Sequence, residues 1–218
     1  MAPKPRRMPD PDATLRPAAA LLLIYPYQDA WHVPLTVRGS GLRHHTGQVS
    51  LPGGRLDHPG ESVEDAALRE AHEEIGVAPS SVALLGRLTP LPIAVSGHLL
   101  HPVIGVAARR PAFALAADEV ERLIELPLAR LLQPDAIAWE QRMRTARPTA
   151  AARPGQADAA AHVGQTEDAA RTFMVRDPEI LVNVPYFAID GAQVWGATAM
   201  VLAEFIAVLE DINFHAEA

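Results

Sequence analysis

Cysteine is absent from the 218 residues, which excludes disulfides, thiolate zinc sites and any cysteine nucleophile. No stretch approaches the ~18 apolar residues of a membrane-crossing helix; Ala18 to Tyr25 (AAALLLIY) is too short and reads as a core segment. A basic excess is missing as well, since 19 Lys+Arg stand against 26 Asp+Glu, a formal charge of −7. Nucleic-acid backbones and anionic membranes select a basic face that releases counterions, so neither is expected as a partner. An anionic small substrate would then need local cations or a metal ion. Lys4, Arg6 and Arg7 are not followed by an apolar run, and five prolines in the first 17 residues describe a frayed tail rather than a signal peptide. With no sign of an oxidising compartment, a cytoplasmic protein is expected.

What is present suits one domain with a real core: 49% of the residues are hydrophobic. Residues 1–16 form the polar, proline-rich tail, and 17–218 the expected single domain. Residues 141–170 hold ten alanines, with Met143 and Val163 the only large apolar side chains. Such an insert buries little surface and reads as a mobile loop, although alanine could also make it helical. Elsewhere apolar runs alternate with breakers. Ala18–Tyr25, Trp31–Val37, Ser81–Leu88 and Leu99–Ala107 read as strands, as do the later Arg171–Val175 and Tyr186–Ile189. Gln193–Leu209 reads as a closing helix, with Val194, Thr198, Val201, Leu202, Phe205 and Val208 at helical spacing. That stripe is core or a self-association face, so monomer and homodimer both stay open. Mixed strands with two or three helices predict a small α/β or α+β sandwich.

The chemistry concentrates between Gly53 and Val77. Ser62 is placed to cap a helix through Ile75, with Glu64 and Asp65 at the positive end of its dipole and Gly76 at the left-handed exit. With Glu70 at zero on the helical wheel, Glu73 lies at about 300° and Glu74 at about 40°, so three carboxylates share a ~100° arc. Ala67, Leu68, Ala71 and Ile75 occupy the neighbouring arc and face a core. A bare E-x-x-E-E is usually a solvated face. Here a Pro-Gly-Gly turn, a second Gly-Glu and a terminal glycine frame it, and crowded carboxylates repel unless a cation neutralises them. Mg2+ or Mn2+, hard and oxygen-seeking, is the matching cofactor. Arg69, four residues before Glu73, can steady it.

This stretch resembles the Nudix box, G-x5-E-x7-R-E-U-x-E-E-x-G-U, where U is bulky and aliphatic. Its second half, Arg69 to Val77, matches with Ala71 as a small first U. Its first half carries six residues between Gly54 and Glu61 where the box has five. Upstream, Leu35-Thr36-Val37-Arg38-Gly39, Arg43 and Gly47-Gln48-Val49-Ser50-Leu51-Pro52-Gly53-Gly54 are similar to the motif L-L-T-x-R-S-x3-R-x3-G-x-V-x-F-P-G-G of Nudix enzymes that cleave coenzyme A. Pro34, Gly39 and Leu51 depart from it, while spacing holds over 21 positions. Together the two signatures span residues 34–77. Asp118 to Leu128 and Val194-Trp195-Gly196-Ala197-Thr198 resemble later segments of the same fold.

The resemblance implies a mixed sheet between helices and a metal-dependent pyrophosphatase acting on a small nucleotide. Glu70, Glu73 and Glu74 would be the metal ligands, and Glu70, Glu73 or Glu119 the general base. Arg69 and Glu61 would be supporting residues. Arg38 and Arg43 would bind phosphate through guanidinium hydrogen bonds, beside His44 and His45; Gly53 and Gly54 would allow close backbone approach and present amides to an anion. His58, His72, His98 and His101 read as structural or exposed. Coenzyme A or its thioesters is the first substrate reading; ADP-ribose, a dinucleotide or an oxidised nucleotide is the second. A nucleotide-sensing binding module is the third, disfavoured because a sensor does not need an uncompensated carboxylate cluster.

Overall fold

The computed structural model describes residues 15–39, 48–133, 135–145, 179–189, 191–212 and 214. The long apolar run becomes strand β1 (Arg16–Tyr27), and it reads as continuous because both of its faces are covered. Ala20, Leu22 and Ile24 enter one core, and Ala19, Leu21, Leu23 and Tyr25 the other. β1 turns directly into β2 (Ala30–Arg38), with Tyr27 opposite Ala30. The two turn residues, Gln28 and Asp29, both have positive φ, 50° and 58°, the geometry of a two-residue hairpin that normally selects Asn-Gly or Asp-Gly.

Around β1 the chain builds a mixed sheet. Short strands β3 (Val49–Ser50) and β4 (Gly53–Arg55) pair antiparallel with β2 and β1. β5 (Val82–Arg87) and β6 (Leu91–Ile93) pair antiparallel with β7 (His98–Ala107), which runs parallel to β1 from Arg16 opposite His98 to Ile24 opposite Val106. β8 (Val120–Pro127) pairs with β2. The sheet order is β3-β2-β1-β7-β5, with β4, β6 and β8 added alongside β1, β7 and β2. Helix α1 (Val63–Ile75) lies on the Leu21 face, and α3 (Gly196–Asp211) on the Leu22 face. A short α2 (Leu128–Leu131) precedes β9 (Ile137–Thr145), which joins β10 (Glu179–Ile189) and β11 (Ala192–Val194) in a second sheet ordered β11-β10-β9. The expected mixed α+β sandwich is what the sheet and its two covering helices form.

The chain divides into two compact units, Met1–Ala138 with Pro185–Ala218, and Trp139–Val184. Of the alanine-rich stretch, residues 141–145 lie in β9; the rest, the expected strand Arg171–Val175 and nearly all of the tail lie outside the described residues. No helix among the described residues is long and apolar enough to cross a membrane.

The closing helix starts later than its hydrophobic pattern suggests. Val194 is buried as a strand residue opposite Phe187, so the helix begins only after Trp195, whose backbone is extended. Thr198, Val201, Leu202, Phe205 and Leu209 then form its buried face, and Val208 turns out to solvent. The Thr198 hydroxyl donates to the Val49 carbonyl at 3.3 Å, tying α3 to β3. The tight β1–β2 turn gives a direct test. Asp29→Gly removes a side chain from the left-handed region and is expected to stabilise the protein by about 0.5–1 kcal/mol, read as a higher urea midpoint with an unchanged slope.

Candidate active site

Local chemistry fixes α1 at both ends. The Ser62 hydroxyl accepts from the Asp65 amide at 3.0 Å and donates to the Asp65 carboxylate at 2.6 Å. Gly76, at φ 73°, turns its N–H back to the His72 carbonyl, and Val77 follows to Ala71. Ala67, Ala71 and Ile75 are buried, as their place on the wheel requires, Leu68 is partly buried against the same core, and Ala66 is buried as well.

Arg69 gathers the loop before the helix. Its Nε donates to Glu61 Oε1 at 2.8 Å, Nη1 to Glu70 Oε1 and to Glu73 Oε2 at 3.0 Å each, and Nη2 to the Arg55 carbonyl at 2.9 Å. Asp57 Oδ2 lies 3.4 Å from Nη1. The Glu61 side chain is only 4% exposed and also accepts from the Asp57 amide at 2.6 Å. Glu61 therefore locks both arginine and loop. Its hydrogen bond from Arg69 holds the Glu61 carboxyl below its ordinary value.

The three predicted metal-ligating carboxylates have different surroundings. Glu73 lies on the solvent side, its side chain 55% exposed and bound by Arg69. Glu70 is half-buried, and loss of hydration pushes its carboxyl up against the pull of Arg69. Glu74 is buried, and its Oε2 has no hydrogen-bond partner. Burial first, then the Glu70 charge, raise its carboxyl to about 7; Glu119 adds to the rise, while Arg38 and the Gly53 N–H oppose it. Glu119 thus comes near Glu74 from a turn before β8, its own side chain exposed. Arg38 faces the same carboxylate from the end of β2, with a buried Nε that has no partner.

The glycine pair makes room. A Cβ on Gly53 would meet the backbone of Ala19 and Ala20 in β1, and one on Gly54 would land on the Glu70 carboxylate. Their close approach is to β1 and to Glu70, and the Gly53 amide faces Glu74. Arg43, His44 and His45 lie outside the described residues. His58 and His72 are exposed; His98 and His101 are partly buried, and burial lowers both imidazoles. One contributor carries no signal in local sequence: the amides of Ala114 and Ala116 donate at 3.0 Å to the carbonyls of Ile75 and Glu74, at the end of α1.

Among the described residues, no three His, Asp or Glu side chains stand together as a ready metal cage, because Arg69 draws Glu70 and Glu73 to itself. The donors nonetheless fit a hard divalent ion. Glu70 and Glu74 are adjacent carboxylates whose charges are unfavourable as they stand, and Glu74 Oε2 is a buried acceptor without a donor. This has a measurable consequence. From the ordinary carboxyl value of 4.5 up to about 7, the folded chain keeps a Glu74 proton that the unfolded chain has released, so stability falls as pH rises through that window. Glu61 acts in the opposite sense only in more acid solution. In chelator-treated protein, Glu74→Gln is expected to flatten the decline and to be more stable at pH 7.5 by on the order of 2 kcal/mol, measured by urea unfolding across pH 5–8.

A family model described as the NUDIX domain matches residues 14–144, more than half of the chain. A Pectobacterium atrosepticum protein named uncharacterized Nudix hydrolase NudL is 46% identical over 94 residues, 43% of this chain and 48% of that protein. One of the same name from Escherichia fergusonii is 44% identical over 98 residues, 45% of this chain and 50% of that protein. The chain spans about half the length of the curated relatives it matches. Among solved structures, a Nudix hydrolase from M. smegmatis, RenU, is 28% identical with a TM-score of 0.47, covering 53% of this chain and 72% of that one. The helix with its arginine-bound carboxylates lies inside the matched segment, and the chain belongs to the NUDIX domain family.

Proposed function

We propose that the protein is a metal-dependent pyrophosphohydrolase that cleaves the pyrophosphate bond of coenzyme A or its thioesters, releasing 3′,5′-ADP and 4′-phosphopantetheine or its acyl form. The observation that carries the chemistry is the buried, donorless Glu74 carboxylate oxygen beside Glu70, with the Arg38 guanidinium facing it. Nudix enzymes generally use divalent metal ions, and Mg2+ or Mn2+ held by Glu70 and Glu74, with Glu73 as a further ligand, would neutralise the pyrophosphate and acidify an attacking water.

The chain's own groups supply the rest. Arg38, whose buried Nε has no hydrogen-bond partner, offers its guanidinium to a phosphate. Arg43 takes the same role in the motif. Glu119 is exposed to solvent and close to Glu74, which suits it to accept the water proton; Glu70 and Glu73 are the other candidates, each engaged by Arg69. The water oxygen bonds to one phosphorus as the bridging oxygen departs with the other phosphate, and the proton ends on the base. Coenzyme A as substrate rests on the spacing of residues 34–54 rather than on the carboxylate geometry.

Two measurements test this reading. Product analysis with Mg2+ and with Mn2+, comparing coenzyme A with ADP-ribose, should find 3′,5′-ADP from coenzyme A. Glu74→Gln should reduce that turnover by on the order of 100-fold. Absence of hydrolysis of either compound would sink the enzyme reading, and preference for ADP-ribose would replace the substrate. The second uses the glycines. Gly54→Ala pushes on the movable end of Glu70, so kcat should fall about 10-fold or more with an unchanged melting temperature. Gly53→Ala pushes on the β1 backbone and should lower stability itself.

A further inference from the structure

The twelve residues between β7 and β8, 108–119, contain no helix or strand, yet they deliver Glu119 to the neighbourhood of Glu74. Their composition offers little to hold them in place. Ala112, Ala114, Leu115 and Ala117 are exposed, and Phe113 is the one side chain of the segment packed into the core. At the far end of the segment stands a group of residues that the proposed chemistry does not use. The Arg110 guanidinium makes a two-pronged bond to Glu125 on β8, Nε to Oε2 and Nη2 to Oε1, each 2.7 Å. The buried Tyr25 hydroxyl donates to the same carboxylate at 2.8 Å. Arg110 also lies over the rings of Tyr27, 4.8 Å from its centroid, and Phe113, 5.3 Å. Phe113 meets Tyr25 edge-on at 5.5 Å.

From this anchor the chain runs past the C-terminal end of α1. There the Ala114 and Ala116 amides satisfy the Ile75 and Glu74 carbonyls, which a helix end leaves without internal partners. Ala114 also packs where a Cβ on Gly76 would sit, so the helix-ending glycine is what allows the segment so close. The Ala116 carbonyl then accepts from the amides of Glu119 and Val120, at 3.0 and 2.8 Å, and the Glu119 carbonyl from Gly39. Glu119 is thereby referenced through the backbone to the same residue, Glu74, whose side chain it approaches.

We infer that Arg110 is a positioning residue: its fork to Glu125 and its seat on Tyr27 and Phe113 tension the segment so that Ala116 stays bonded to α1 and Glu119 stays at the reaction site. The inference rests on the reading of Glu119 as the group that takes the water proton. A side chain serving only solubility would leave the amides of Ala114 and Ala116 and the turnover number untouched.

The test combines amide exchange with a double-mutant cycle. In metal-free protein followed by NMR, Arg110→Ala should speed exchange of the Ala114 and Ala116 amides by ~10-fold or more, with the amides of Leu21 and Leu23 in β1 unchanged. In the loaded enzyme Arg110→Ala should lower kcat about 10-fold with KM within about twofold, and Arg110→Lys, which keeps the charge without the fork, should recover only part. In a Glu119→Gln background, the Arg110→Ala change should have almost no further effect on kcat. Unchanged exchange at Ala114 and Ala116 would overturn the inference. So would an equal loss of kcat in both backgrounds beside a slow Glu119→Gln enzyme. A Glu119→Gln enzyme with full kcat would instead overturn the role of Glu119, and the inference with it. If Arg110→Ala does not fold, Glu125→Gln weakens the same fork and is read in the same way.

Discussion

The Arg69 guanidinium is the interaction on which the rest of the site depends. Four carboxylates, Asp57, Glu61, Glu70 and Glu73, converge on it within 3.4 Å. Without it they would repel one another across the junction of loop and helix. Exposed ion pairs contribute little, but this one includes a Glu61 carboxylate with almost no access to water. Removing Arg69 would leave that carboxylate without its counterion. The bond to the Arg55 carbonyl extends the same anchor to β4, so one side chain fixes helix, loop and strand edge relative to each other.

Glu74 obeys the opposite rule. It lies four residues beyond Glu70, but it is buried and faces the Gly53 amide of β4, and Arg69 makes no bond to it. Its charge is opposed by burial and by neighbouring carboxylates, with Arg38 and the Gly53 amide in favour. The carboxylates thus form a gradient: Glu61 is neutralised by Arg69, Glu70 is only partly compensated by it, and Glu74 is left wanting a proton or a cation. A buried carboxylate kept at such a disadvantage is the feature on which the proposed divalent-ion site rests.

Much of this was legible in the sequence wherever residue type and local geometry agree. Ser62, the acidic first turn, the alanine stripe and Gly76 each state the same helix, and the chain forms it between Val63 and Ile75. β1 was legible from its apolar run. Short strands such as β4 were not, because Gly-Gly-Arg carries no alternation; it is a strand only because Ala18–Ala20 offers its backbone. The start of α3 is not legible, because an apolar Val194 at helical spacing satisfies the period while its backbone is committed to Phe187. The helical wheel placed the three glutamates together but could not separate a buried Glu74 from an exposed Glu73. That difference comes from segments 20 or more positions away in the chain, at Arg38, Gly53 and Ala116, which local periodicity does not encode.

Small residues decide where these charges come to rest. The face that α1 turns to the sheet is Ala66, Ala67, Ala71 and Ile75, set against Ala19, Leu21 and Leu23. Alanine contacts bring helix and strand close but bury little area, and burial stabilises by roughly 25 cal/mol per Å2. Packing alone therefore holds α1 less firmly than a face of leucines would. Polar ties supplement it: Arg69 at the loop, Arg87 paired with Glu64 from β5, and two amides at the helix exit. Close approach is also what the chemistry requires. Only with glycine at 53 and 54 can β4 lie against β1 while leaving space for the Glu70 carboxylate. A larger, greasier interface would add stability by moving the helix outward, and the carboxylates would move with it, away from Arg38 and Glu119.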